Sequence, residues 1–206
     1  MEIIKDPREI ENKSMAIIEN SLPELQNFPA PEREIIKRVI HTTGDLGCIS
    51  LVKISPGAVE AGLAAIRSGR IILTDVNMLK AGLIAERMNR FGVQAHCLIS
   101  HPEVVAEARR SGLTRAMVAM KQGASMVENG VIAVGNAPTA LFELCRMIRG
   151  GEARPALVVG TPVGFVGAAE SKEMLVETGV NYITMPGTRG GSTIAASIVN
   201  ALLLQA

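Results

Sequence analysis

Aromatic side chains are nearly missing from this 206-residue chain: Phe28, Phe91, Phe142, Phe165 and Tyr182 make up 2% of it, and there is no Trp. Proteins that grip single-stranded nucleic acid stack bases on such rings, and phosphate contacts call for a surplus of Lys and Arg. Here 21 basic residues face 20 acidic ones, a formal charge of +1. The composition argues against nucleic acid as a partner. Cysteine is scarce as well. Cys48, Cys97 and Cys145 are odd in number and show no CxxC spacing, which speaks against a disulfide framework or a zinc knuckle and for reduced, buried thiols. No apolar run approaches the roughly 20 residues that a membrane helix needs, and the charged N-terminal stretch MEIIKDPREIENK lacks an apolar signal core. These absences predict a soluble, cytoplasmic protein with no membrane partner.

What is present is a repeating pattern. Ile10, Ile17, Ile18 and Leu22 recur at helical spacing, and Pro31 opens a second helix with a stripe of Ile35, Ile36, Val39 and Ile40. Gly44 suits a left-handed cap for that helix. After it, short β-branched runs alternate with helical segments: strands over 50–54, 71–74, 93–99, 131–134, 156–160 and 181–185, each followed by a helix. Such alternation predicts a mostly parallel sheet covered on both faces. The expected fold is a single doubly wound α/β domain over 1–206, with an N-terminal helical segment. The methionines are expected to fill core gaps, where a flexible thioether fits.

Doubly wound folds bind ligands beyond the carboxyl ends of their strands. The loops at those ends are Thr74-Asp75, Gly135-Asn136, Thr161-Pro162-Val163-Gly164 and Gly187-Thr188-Arg189-Gly190-Gly191-Ser192. Glycine-rich loops leading into helices bring amides close to anions, and Arg189 adds a planar fork for carboxylate or phosphate. Asn136 could present its amide and cap the next helix. Tight helix–sheet packing explains the same glycines equally well. No P-loop, GxGxxG or GxSxG run is present. Among the histidines, His96 sits within a strand and His101 at a helix start, both compatible with structural roles. His41 lies at a helix C-terminus, where the dipole favours positive charge, and shares a polar face with Arg38 three residues earlier. A proton donor working near neutral pH suits that placement, and so does a solvated helix end.

Six segments in order, HTTGD (41–45), SPGAVEAGLAAIRSG (55–69), ILTDVNM (72–78), GNAPTALFEL (135–144), PVGFVGAAESKE (162–173) and GTRGGS (187–192), closely resemble the precorrin-8X methylmutase family. Its anaerobic members are cobalt-precorrin-8 methylmutases. The resemblance implies an isomerase of cobalamin biosynthesis. Such an enzyme moves a methyl group from carbon 11 to carbon 12 of ring C in (cobalt-)precorrin-8, giving hydrogenobyrinic or cobyrinic acid. It also implies His41 as the catalytic proton donor, Ser14, Arg38 and Arg115 as substrate contacts, and a homodimer with active sites near the interface. Many relatives carry Arg where this chain has Thr188. The reaction requires no cofactor and no protein-bound metal. Arg38, Arg115, Arg189 and helix N-termini would hold the substrate's carboxylates, with aliphatic and Met side chains covering the ring faces in place of aromatic ones. Two other readings share the anion-binding features: a corrinoid carrier without catalysis, and an unrelated α/β enzyme acting on an anionic metabolite.

Overall fold

A computed structural model describes residues 3–206; Met1 and Glu2, the start of the charged N-terminal stretch, lie outside it. Helix α1 (Pro7–Ser21) is capped by Asp6, whose carboxylate accepts from the Arg8 amide. A short 3-10 turn (Pro23–Asn27) leads to α2 (Ala30–Thr43), with Pro31 in its first turn. Gly44 ends α2 in the left-handed conformation (φ 66°), its amide donating to the Ile40 carbonyl, as its sequence position predicts.

The sheet then builds from β1 (Lys53–Ile54), β2 (Ile72–Thr74), β3 (Ala95–His96), β4 (Val131–Val134), β5 (Leu157–Gly160) and β6 (Tyr182–Thr184). Their spatial order is β1-β6-β5-β4-β2-β3, parallel except for β1, which runs antiparallel to β6. Alternation along the strands divides two cores. Ile72, Val131, Ala133, Leu157, Val159 and Ile183 face one, and Leu73, Ile132, Val134 and Val158 face the other. The first core is covered by α2, α4 (Ala58–Arg67), α5 (Asn77–Ala81) and α11 (Ser192–Gln205). The second is covered by α8 (Arg115–Ala124), α9 (Pro138–Arg149) and α10 (Ala168–Glu177), with α7 (Pro102–Ser111) packed outside α8. Both faces are therefore dressed with helices, as the βα alternation predicts.

The predicted stripe Ile35, Ile36, Val39 and Ile40 is wholly buried against α11. At about 1.5–3 kcal/mol for each fully buried aliphatic side chain, this contact ties the N-terminal helices to the sheet layer. Three expectations need correction. Of the strand expected over 50–54 only Lys53–Ile54 is strand, because residues 48–51 form a short helix, α3, after Asp45 Oδ1 takes the Gly47 amide and turns the chain. The strand over 93–99 shrinks to two residues at the sheet edge. The helix expected after Asp75 is broken into α5 and α6 (Ala85–Arg90). Asn200 of α11 causes the break: its Nδ2 donates to the Gly82 carbonyl (2.8 Å) and its Oδ1 accepts the Ile84 amide (3.0 Å). Met120, Met147 and Met185 are buried as expected, whereas Met78 and Met126 are exposed.

Candidate functional site

The topological switch point lies between β2 and β4, whose following helices leave to opposite faces. In this fold class a ligand would normally sit there. Here the chain's own carboxylate fills the place. Asp75 is buried, its Oδ1 accepts the Gly135 amide (3.1 Å) and its Oδ2 accepts those of Asn136 and Ala137 (2.8 Å each). Burial pushes the Asp75 carboxyl up, against the pull of these three N–H donors. Asn136 consequently does not cap α9: the cap residue is Ala137, without a side-chain bond, and Asp75 serves the helix start from 61 and 62 residues away. Asn136 is exposed just beyond the carboxyl end of the central strand β4.

The clefts lined by the N-terminal candidates lie to one side of the sheet. One, of about 540 Å³, opens between α1, α2, the α5–α6 turn and α11, and is lined by Glu11, Arg38, His41, Arg87, Ser197 and Asn200 among others. A second, of about 230 Å³, is lined by Ser14, Ile17, Ile18, Ile40, His41, Gly44 and Leu46. His41 belongs to both. It sits in the last turn of α2, one turn beyond Arg38, so the helix itself presents the two side by side. Ser14 spends its hydroxyl proton on the Ile10 carbonyl (2.9 Å), which leaves its oxygen free to accept.

Arg38 pairs with Glu11 of α1 at 2.7 Å. This hydrogen bond holds the Glu11 carboxyl below the usual carboxylate range, against some loss of hydration, and the charges of Arg38, Arg87 and His41 add to it. Arg189 reaches the same neighbourhood from the last glycine loop, because its guanidinium pairs with Asp45, four residues after His41, at 2.7 Å. The loop is packed closely against its neighbours. A Cβ on Gly190 would lie 2.2 Å from the Thr161 carbonyl oxygen, the Gly191 amide donates to that same oxygen (2.8 Å), and the buried Lys172 ammonium donates to the Arg189 carbonyl (2.8 Å). Burial lowers the Lys172 pKa to about 8.

Ser14, Arg38 and His41 are thus brought together at the two clefts, Arg189 is joined to Asp45 just past the end of α2, and Asn136 and Arg115 line neither cleft. Arg115 starts α8 on the opposite face of the sheet, where with Val105, Ala108, Arg109 and Leu113 it lines a separate cleft of about 330 Å³. Sequence reasoning missed Glu11, Arg87, Ser197 and Asn200 as cleft residues. The spacing of Glu11 and Ser14 on one face of α1 was a usable signal for the first. The others depend on how α11 packs against α2 and α6, which no local pattern carries. No helix of the described residues is long and apolar enough to cross a membrane, and no cluster of three or more His, Cys, Asp or Glu among them could hold a metal ion.

Known proteins are similar to this chain over nearly its whole length. A family model described as precorrin-8X methylmutase matches residues 9–205. A cobalt-precorrin-8 methylmutase of Methanocaldococcus jannaschii is 39% identical over 99% of this chain and 96% of its own. A precorrin-8X methylmutase of Pseudomonas aeruginosa is 41% identical over 98% and 97%. The crystal structure of a precorrin-8X methylmutase from Thermus thermophilus superposes with a TM-score of 0.85 at 40% identity, covering 95% of this chain and 96% of that one. The chain belongs to the precorrin-8X methylmutase family and is an isomerase.

Proposed function

We propose that this isomerase acts in cobalamin biosynthesis on a precorrin-8 macrocycle and moves the methyl group from carbon 11 to carbon 12 of ring C, with His41 as proton donor. The observation that supports it most is the position of His41 at the junction of two clefts, beside Arg38 and across from Ser14. The reaction breaks the bond from carbon 11 to the methyl carbon, forms one to carbon 12 and redistributes the ring's double bonds. Substrate and product are isomers, so a proton given to the ring at one atom leaves it at another. His41 would supply the first. The migration itself would be eased by a fixed substrate geometry and by charges already in place, with no covalent bond to the protein.

Carboxylates on the macrocycle's rim suit Arg38 and Arg189, each a planar fork for charge-assisted hydrogen bonds. Both are held by exchangeable carboxylates of the chain itself, Glu11 and Asp45. The Ser14 oxygen and the exposed Asn136 amide complete the proposed contacts. Arg115 lies on the far face of the sheet from its own His41. Its role in binding is supplied most simply by a second copy of the chain, in a homodimer whose sites lie at or near the interface.

The test is optical, since the substrate and product are pigments. Protein purified from cells making precorrin-8 should carry the rearranged chromophore, and the His41→Ala protein should hold the unrearranged one. Equal rearrangement by the variant removes His41 from the mechanism. Unrearranged pigment on both proteins would mark a carrier, and colourless protein in both cases an enzyme of another metabolite.

A further inference from the structure

We infer that the loop between β5 and α10 carries an apolar prong, Phe165–Val166, that lies against one face of the bound macrocycle. The inference rests on the proposed tetrapyrrole substrate and names a contact that the arginine-and-amide reading leaves out. Of the five aromatic rings, Phe28, Phe91, Phe142 and Tyr182 are half-buried and packed in the fold. Phe165 is 94% exposed and Val166 89% exposed. In a chain this poor in rings, one is held out in water at the ligand-binding edge of the sheet.

The loop is tied down on both sides of its tip. Gly164 donates its amide to the Thr188 carbonyl (3.1 Å) on one side of the prong. On the other, Gly167 adopts φ 76° and is pressed so close to Phe142 that a Cβ there would lie 3.1 Å from its ring. Lys172, one turn into α10, fastens the neighbouring loop through the Arg189 carbonyl. The β5–α10 loop is held at both ends with its tip outward.

The surroundings indicate what covers it. Thr188 precedes Arg189, and the Arg189 guanidinium meets Asp45 beside the His41 end of α2. An apolar tip beside the loop that carries Arg189, whose guanidinium reaches toward the His41 end of α2, complements a flat apolar ring edged with carboxylates. Aromatic side chains stack on planar heterocycles without needing hydrogen bonds, so a ring there fixes the plane of the ligand while the arginine fixes its edge.

The experiment is a visible-absorption titration with hydrogenobyrinic acid, run on the wild type, Phe165→Ala and Phe165→Tyr, with the mass of each measured by light scattering. A side chain so exposed contributes nothing to the fold, so both variants are expected to be folded. Phe165→Ala should bind about ten-fold more weakly or worse (about 1.4 kcal/mol), with an altered bound spectrum and unchanged mass, while Phe165→Tyr stays within about two-fold of the wild type. Unchanged affinity in Phe165→Ala overturns the inference. So does a fall in mass, which would make the prong a subunit contact, or a Tyr variant as weak as the Ala one. A wild type that binds no corrin fails the proposed function itself, a separate outcome.

Discussion

Single side chains in this molecule are set by what burial costs them. Asp75 is the clearest case: its buried carboxylate is tolerated because three backbone N–H groups converge on it. Replacing it by Asn keeps one acceptor oxygen and turns an NH2 toward donors, so at least one amide loses its partner. Asp75→Asn should cost about 1–3 kcal/mol in a urea melt, and Asp75→Ala more. Lys172 carries the opposite sign of pH dependence from a paired lysine. Its pKa falls from 10.5 to about 8 on folding, through loss of hydration, so between those values the unfolded chain holds a proton that the folded one has released. Stability should therefore rise from about pH 8 toward 10.5, and Lys172→Met should flatten that rise in melts compared pH by pH. The thiols are graded in the same way. Burial pushes Cys145 up to about 12, and Cys97 is half-buried. Iodoacetamide should label Cys97 first, with Cys145 silent until the protein unfolds; early labelling of Cys145 would contradict this packing.

The elements that make the cleft are joined by side chains distant in sequence. Asn200 ends α5 and starts α6 through two bonds to the chain between them, more than 110 residues away. Asn200→Ala should loosen that turn, which carries Ile84 and Arg87 into the cleft. The expected result is a loss of about 1–2 kcal/mol in a thermal melt and a larger fall in kcat/KM than in stability. The same distance explains what could be read in advance. Strands β2, β4, β5 and β6 were legible because β-branched runs buried on both faces need no partner to be recognised, and Gly44 because a left-handed cap is a local demand. The shared face of Arg38 and His41 was legible from a spacing of three. The α5–α6 break, the antiparallel pairing of β1 and the capture of α9 by Asp75 were not. Each is decided by an atom brought in by the tertiary fold, and helical periodicity is blind to it. The glycine loops divide likewise: at Gly190 the packing reading is sufficient on its own, because the Thr161 carbonyl leaves no room for a Cβ, while the exposed tip at Phe165 is not explained by packing at all.

At the scale of the whole molecule, the sheet separates the residues that the reaction is proposed to need. His41, Arg38 and Ser14 belong to the α1–α2–α11 side, and Arg115 to the α8 side. A site using both sets from one chain would have to span the sheet layer. Two copies related by a two-fold axis can instead place the α8 face of one against the α2 face of the other, each pair contributing twice. This arrangement has a consequence that single variants cannot imitate. His41→Ala and Arg115→Ala homodimers should each be strongly impaired. When the two are unfolded together and refolded as a mixture, half the dimers are mixed on statistical grounds. In a mixed dimer with sites shared across the interface, one site carries both substitutions and the other carries neither. Activity should then recover to about a quarter of the wild type. If Arg115 serves the His41 of its own chain, every site keeps one substitution, and the mixture stays as inactive as its parents. Light scattering on the same mixture separates a failure to associate from a failure to share.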